Sequence, residues 1–213
     1  MQTILNTPDD PAHDSLVEKK SEFIGDAAHV DTLDEALAFV AAIREQHPKA
    51  RHVAYAAVCG GADGRLSERM SDDGEPSGTA GKPILDVLKQ SGTTDCVVAV
   101  TRYFGGILLG SGGLVRAYSS AASLAMKAAR AARIMTAKRY RVRLEYPQLA
   151  RFQQILAQLG GSQEDESYAV NVELTAVVPQ DDCARFEARV REAFNAAVVP
   201  APIDMVNIPV PLA

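Results

Sequence analysis

The spacing of apolar residues changes period repeatedly along the chain, and each change marks an element. Residues 1–15 follow neither a helical nor a strand period and are expected to form a loose arm. Glu22–Val30 has strand character. Thr32-Leu-Asp-Glu35 has the form of a capping box, in which a Thr and a Glu three residues on satisfy backbone amides at a helix start. Leu33, Leu37, Val40 and Ile43 follow at helical spacing, predicting an amphipathic helix over 33–47 that Pro48 ends. His52–Cys59 predicts a buried strand, Gly60–Gly64 a turn, and a polar strand leads on into Ser71–Gly81. Pro83–Gln90 predicts a short helix with Ile84, Leu85 and Leu88 inward. Asp95–Thr101 is the most apolar strand and belongs at the centre of a sheet. Leu114 to Arg133 is rich in alanine, the best intrinsic helix former, and predicts a long helix.

From Arg139 the period is two. Tyr140, Val142, Leu144 and Tyr146 alternate with Arg139, Arg141, Arg143 and Glu145, as in a strand with one wet face. Leu149, Phe152, Ile155, Leu156 and Leu159 then mark a helix stopped by Gly160-Gly161. Tyr168, Val170, Val172 and Leu174 alternate again. Asp181 or Asp182 can cap a helix carrying Cys183, Phe186, Val190 and Phe194, and a last strand falls within Ile203–Val210. The order β-α-β-β-α-β is that of a ferredoxin-like module. The expected class is α+β, with domains over 1–135 and 136–213.

Composition narrows the functions. Of the 213 residues 47% are hydrophobic and 23% charged, as in a globular protein rather than a disordered one. No stretch approaches the ~18 apolar residues of a membrane span. The polar, acidic N-terminus resembles neither a signal peptide nor a transit peptide, so a cytoplasmic location is expected. Cys59, Cys96 and Cys183 form no CxxC pair, which disfavours a disulfide framework or structural zinc. The net charge of −5 gives no support to a chain that coats nucleic acid indiscriminately. Residues 127–143 nevertheless hold seven basic side chains and no acidic one.

The candidate chemistry lies in two stretches, Ser71–Pro83 and Thr101–Arg116. Five glycines between residues 105 and 113 cost chain entropy and need a reason. One is a tight turn from a buried strand into a helix. The other is an anion site, since a glycine-rich turn at a helix start offers free amides and the positive end of the dipole. Lys82, Arg102 and Arg116 could add charge. A Walker A loop fails here, because Pro76 stands where its first glycine belongs and Pro83 where its Ser or Thr does. A dinucleotide fingerprint from Gly110 has Gly112 but Val115 in place of the third glycine. Asp72, Asp73 and Glu75 could ligate a hard cation or lie in a solvated loop. His52 suits a strand-end histidine with a local hydrogen bond, or a general base. No HExxH motif or triad context is present. No catalytic residue, metal site or cofactor is expected.

Three motifs, Arg51-His52-x-Ala54-Tyr55-Ala56, Ser71-Asp-Asp-Gly-Glu-Pro-Ser-Gly-Thr-Ala-Gly-Lys-Pro-Ile84 and Val100-Thr-Arg-Tyr-Phe-Gly-Gly106, precede Leu109-Gly-x-Gly-Gly-Leu-Val-Arg-Ala-Tyr118. Together they resemble the IMPACT family, in particular its bacterial YigZ-like members, over residues 18–125. The resemblance implies an N-terminal domain with the fold of the second domain of ribosomal protein S5, shared with elongation factor G and small-molecule kinases. It implies a smaller C-terminal domain like domain V of elongation factor G, and a link to translation. Eukaryotic members restrain a stress-responsive kinase of translation initiation by competing for its activator protein, with help from an RWD module. The chain starts almost at the shared domain, so that competition is not expected here. The motif positions carried over are Asp72, Asp73, Glu75, Ser77, Thr79, Lys82, Arg102, Tyr103, Gly105, Gly106, Gly110, Gly112 and Arg116, with Ser111 as a further anion contact.

Two functions follow. The first is a non-catalytic, translation-associated binding protein contacting RNA, the ribosome or a protein partner. Lys127, Arg130 and Arg133 on the long helix and Arg139, Arg141 and Arg143 on the next strand could track a phosphate backbone. Tyr140, Tyr146 and Tyr168 are expected on the buried face, which disfavours base stacking. The alternative is an enzyme acting on a phosphorylated small molecule or nucleotide. Lys82, Arg102 and the amides near Ser111 would then hold phosphate, with Asp72 or Asp73 as base or Mg²⁺ ligand.

Overall fold

The computed structural model describes residues 1–60 and 65–212. Gly61–Gly64, where most of a turn is expected, lie outside the described residues. The architecture is two-domain α+β, and contacts divide the chain into a unit of residues 1–133 with the segment from Pro209, and a unit of Ile134–Ile208. The chain passes between them inside a strand rather than through a linker.

The first unit contains β1 (Gln2–Ile4), β2 (Ala12–Glu18), β3 (Ser21–His29), α1 (Leu33–Gln46), β4 (His52–Gly60), β5 (Leu66–Ser71), α2 (Gly81–Ser91), β6 (Cys96–Tyr103) and α3 (Ser111–Ala128). Its sheet has the order β2-β3-β6-β4-β5 and is antiparallel throughout. Strand β6 is apolar from Cys96 to Val100 because both of its faces are covered there. Cys96, Val98 and Val100 pack with α2 and α3, while Val97 and Ala99 pack with α1. Thr32 caps α1 through the Glu35 N–H, and the Glu35 carboxylate accepts from Asp31 N.

The N-terminal arm is ordered, contrary to expectation. Strand β2 pairs with β3 from Ala12↔Ala27 to Glu18↔Ser21. As an edge strand covered on one side, it alternates with polar residues and conceals its period. Lys19 and Lys20 close this hairpin with φ of 45° and 66°, in the sense of a primed two-residue turn. The alanine-rich helix is also shorter than expected. It ends at Ala128, and Ala131–Leu144 is a long strand, β7, whose first residues pair with β1. Arg130 therefore lies beyond the helix and Arg133 within β7. Cross-strand pairing overrides alanine's helix propensity here.

The second unit continues β7 with α4 (Leu149–Gln158), β8 (Ser162–Tyr168), β9 (Val172–Pro179), α5 (Cys183–Ala193) and β10 (Ala201–Pro211). Its strand order, β8-β9-β7-β10, is ferredoxin-like. Tyr140, Val142 and Leu144 face Phe152, Leu156, Phe186 and Val190, as their alternation predicts. Asp182 stands at the N-cap of α5 without a side-chain capping bond. Tyr168 and Val170 do not join the buried face. Tyr168 ends β8 and Val170 lies in the β8–β9 connection, and they are 56% and 88% exposed. Tyr146 is also exposed, its hydroxyl donating to the Ala169 carbonyl.

Candidate functional site

The two motif stretches converge in the first unit, and their carboxylates serve the backbone first. Asp72 Oδ1 accepts from Ala80 N at 2.9 Å and Gly81 N at 2.8 Å, and Oδ2 from Gly78 N at 2.7 Å. Ala80 offers no capping side chain to α2, so Asp72 supplies one from nine residues back. Burial works to raise its pKa, but the three amides prevail and hold its carboxyl below the ordinary value. Asp73, at φ 48°, accepts from Val53 N at 2.6 Å and pairs with Arg44 at 2.6 Å. Its carbonyl accepts from His52 Nδ1 at 2.7 Å, which fixes the proton of a neutral His52 on Nδ1.

Glu75 turns inward. Its Oε1 pairs with Arg102 Nη1 at 2.6 Å and accepts the Tyr118 hydroxyl at 2.8 Å. Glu75 and Arg102 are 8% and 6% exposed, so the ion pair is desolvated and needs both partners. Burial and the adjacent Glu75 push the Tyr118 hydroxyl well up, keeping it a donor. The Arg102 guanidinium lies 5.4 Å from the centroids of both Phe23 and Phe104, a cation–π arrangement. Its Nε is buried without a hydrogen-bond partner.

Other motif positions scatter. Ser77 is exposed on the loop, and the buried Thr79 donates to the Pro76 carbonyl at 2.6 Å. The Lys82 ammonium pairs with Asp86 along α2. Tyr103 points to the opposite sheet face, where its hydroxyl meets His47 Nδ1 at 3.0 Å. Gly105 lies directly on the β2–β3 hairpin; a Cβ there would stand 2.0 Å from the Lys20 carbonyl. Gly106 is exposed and has φ of 84°. Gly110 has φ of 73° and precedes Ser111, Gly112 and Gly113 in the first turn of α3. Both readings of the glycines thus retain a structural basis: a turn, and a helix start without a capping side chain.

A pocket of ≈ 430 Å³ opens between the stretches, with Arg51, His52, Arg102, Phe104, Leu108 and Ser111 on its wall. Across Leu109, a second pocket of ≈ 400 Å³ is lined by Lys19, Arg116 and the first half of α3. Arg51, Phe104 and Tyr118 fall inside the motifs without being singled out, and Leu108 falls between them, because each looks like ordinary surface or core. Tyr118 falls at a core position of α3, and only its contact with Glu75 sets it apart. Among the described residues, no group of three or more His, Cys, Asp or Glu is placed to hold a metal ion.

The basic residues divide between the units. In the first, Lys127 and Arg133 are exposed and Arg130 pairs with Asp10 at 2.8 Å. In the second, Arg139, Arg141 and Arg143 lie on one face of β7. Arg139 pairs with Glu164 at 3.0 Å and Asp204 at 3.8 Å, and Arg143 with Glu173 at 3.9 Å. The stripe is thus partly neutralised within its own sheet. No helix among the described residues is long and apolar enough to cross a membrane.

Comparison with known proteins agrees with this organisation. The Impact N-terminal domain matches residues 19–126, and the Domain of unknown function (DUF1949) matches residues 142–197. The chain is 40% identical over 174 residues to the IMPACT family member YigZ of Escherichia coli K12, spanning 82% of this chain and 85% of that protein. It is 35% identical over 183 residues to the IMPACT family member YvyE of Bacillus subtilis 168, spanning 86% and 83%. A crystal structure of a hypothetical protein superposes with a TM-score of 0.62 at 35% identity, covering 95% of this chain and 97% of the other. A structure of the two-domain translational regulator Yih1 gives a TM-score of 0.38 at 24% identity, over 56% and 47%. With both domains matched in order and curated relatives aligned over most of their length, the chain belongs to the IMPACT family.

Proposed function

We propose that this chain is a non-catalytic, translation-associated binding protein that contacts RNA, the ribosome or a protein partner of the translation machinery. One observation carries the reading. The three motif carboxylates that a phosphoryl-transfer enzyme would need are committed to architecture: Asp72 to three amides, Asp73 to Val53 and Arg44, and Glu75 to Arg102 and Tyr118. What they hold in place is a rigid surface rather than a base or a cation ligand. Family membership supports the link to translation. A cytoplasmic location fits the same role.

Sedimentation with ribosomes through a sucrose cushion tests this, at low and high salt and with RNase-treated lysate as control. Salt-sensitive association is expected, and the variant with Arg139, Arg141 and Arg143 changed to Glu separates an RNA contact from a protein contact. Absence of the protein from every ribosomal and RNA-containing fraction at low salt would sink the proposal.

A second reading keeps support from the pocket holding Arg51, His52, Arg102 and Ser111, whose chemistry suits a phosphorylated small molecule. A nucleotide or sugar phosphate at 100 times its Kd would stabilise the fold by roughly 2.7 kcal/mol. A thermal-shift screen with and without Mg²⁺ reads this directly, and no shift with any anion removes the second reading.

A further inference from the structure

Residues 104–109, between β6 and α3, carry apolar side chains outward although a core lies directly beneath. Leu108 is 82% exposed, Phe104 46% and Ile107 41%. These three fall on one short loop, and isolated exposed apolar residues are ordinary where a cluster on a rigid loop is not. The loop is rigid because its base is fixed. Phe104 rests against the Arg102 guanidinium, and Gly105 is seated on Lys20. The two pockets flanking Leu109 give the cluster a concave surround with room for large side chains.

Cations outnumber acids around it. Lys19 and Lys20 at the hairpin tip, Arg51 beside the first pocket and Arg116 in the second are all exposed, and none has an acidic partner among the described residues. The nearby acids are otherwise engaged or outnumbered: Glu75 pairs with Arg102, Lys82 holds Asp86, and Glu18 alone lines the second pocket. This contrasts with the second unit, where Arg139 and Arg143 have carboxylates opposite them. A chain with net charge −5 keeps four unpaired cations around one apolar loop.

We infer that this face docks an acidic protein segment that places a large apolar side chain into the pockets beside Leu109 and aligns its carboxylates with Lys19, Lys20, Arg51 and Arg116. Apolar anchors in pockets supply most interface energy, and a complementary charged rim supplies specificity and association rate. Single-stranded RNA fits less well. Stacking platforms need aromatic faces, whereas Ile107 and Leu108 have none and one face of Phe104 is turned to Arg102. The inference rests on the reading of the chain as a binding protein and names the partner's chemistry and its site.

Selection of random linear displayed peptides on the full chain tests it, with the Leu108→Asp variant as counter-selection. Both Leu108→Asp and the Arg51→Glu, Arg116→Glu double variant change exposed side chains, and thermal unfolding verifies that they fold. Enriched peptides are expected to combine net negative charge with a large aliphatic or aromatic residue. Their affinity should fall at least about tenfold in each variant, and it should fall with salt in the wild type. Three results would overturn the inference: no enrichment above the counter-selected background, enriched peptides without an acidic bias, or oligouridylate that displaces the peptides and is itself lost in Leu108→Asp. If ribosome sedimentation persists while the selection fails, the binding function stands and this site is wrong.

Discussion

Arg102 and Glu75, 27 residues apart in sequence, share a 2.6 Å ion pair almost wholly removed from water. The pair ties the loop after β5 to the central strand β6, and the Tyr118 hydroxyl extends the tie to α3. Removing one member strands the other charge in an apolar setting. Glu75→Ala is expected to lose about 3–5 kcal/mol in urea unfolding. Glu75→Gln keeps an acceptor for Tyr118 and should lose less. If Glu75→Ala costs under about 1 kcal/mol, water reaches Arg102 and the pair is not buried in solution.

Asp72 gives the fold an acid limb. Its folded pKa lies below the unfolded value, so its contribution is complete above the unfolded pKa and disappears as pH falls through the folded one. Asp72→Ala should cost about 1–3 kcal/mol at neutral pH, since it leaves the Gly78, Ala80 and Gly81 amides without their acceptor. The gap between wild type and variant should then narrow below about pH 4, as measured by urea unfolding across a pH series. A gap that is constant down to about pH 2 would exclude a carboxylate role for Asp72.

Gly105 and Gly110 are both glycines for steric reasons, but of different kinds. An Ala at 105 would drive a methyl into the Lys20 backbone, whereas an Ala at 110 meets no atom within 4 Å and suffers only from φ of 73°. Gly110→Ala is expected to cost about 1–3 kcal/mol, because φ of 73° with ψ of 164° is a backbone region essentially confined to glycine. Gly105→Ala should cost more, at or above the top of the ~1–3 kcal/mol typical of overpacking. Thermal unfolding of the two variants side by side checks the order; equal losses would mean that the hairpin does not rest on Gly105.

Much of the fold was legible in the sequence. The two-period alternation of Tyr140, Val142 and Leu144 marked β7, Thr32 marked the start of α1, and the unbroken apolar run of β6 marked the sheet centre. These signals are local, because burial of one face imposes its period directly on neighbouring residues. The failures had the opposite cause. Strand β2 and the early end of α3 depend on pairing that their own residues do not announce, with β3 through the Lys19-Lys20 turn and with β1 against residues 131–133, and Tyr168 is exposed because it ends β8 at the turn to β9.

The same division holds for the candidate site. The sequence by itself singled out Ser71–Pro83 and Thr101–Arg116, since their glycines and charges exceed what a core requires, and the family resemblance joined them as one motif set. The tertiary structure alone decided what each residue does. An aspartate has the same letter whether it caps α2, as Asp72 does, or pairs with Arg44, as Asp73 does. Its role follows from which donors folding brings within 3 Å and how much water folding removes, and neither is a property of the residue's neighbours in the chain.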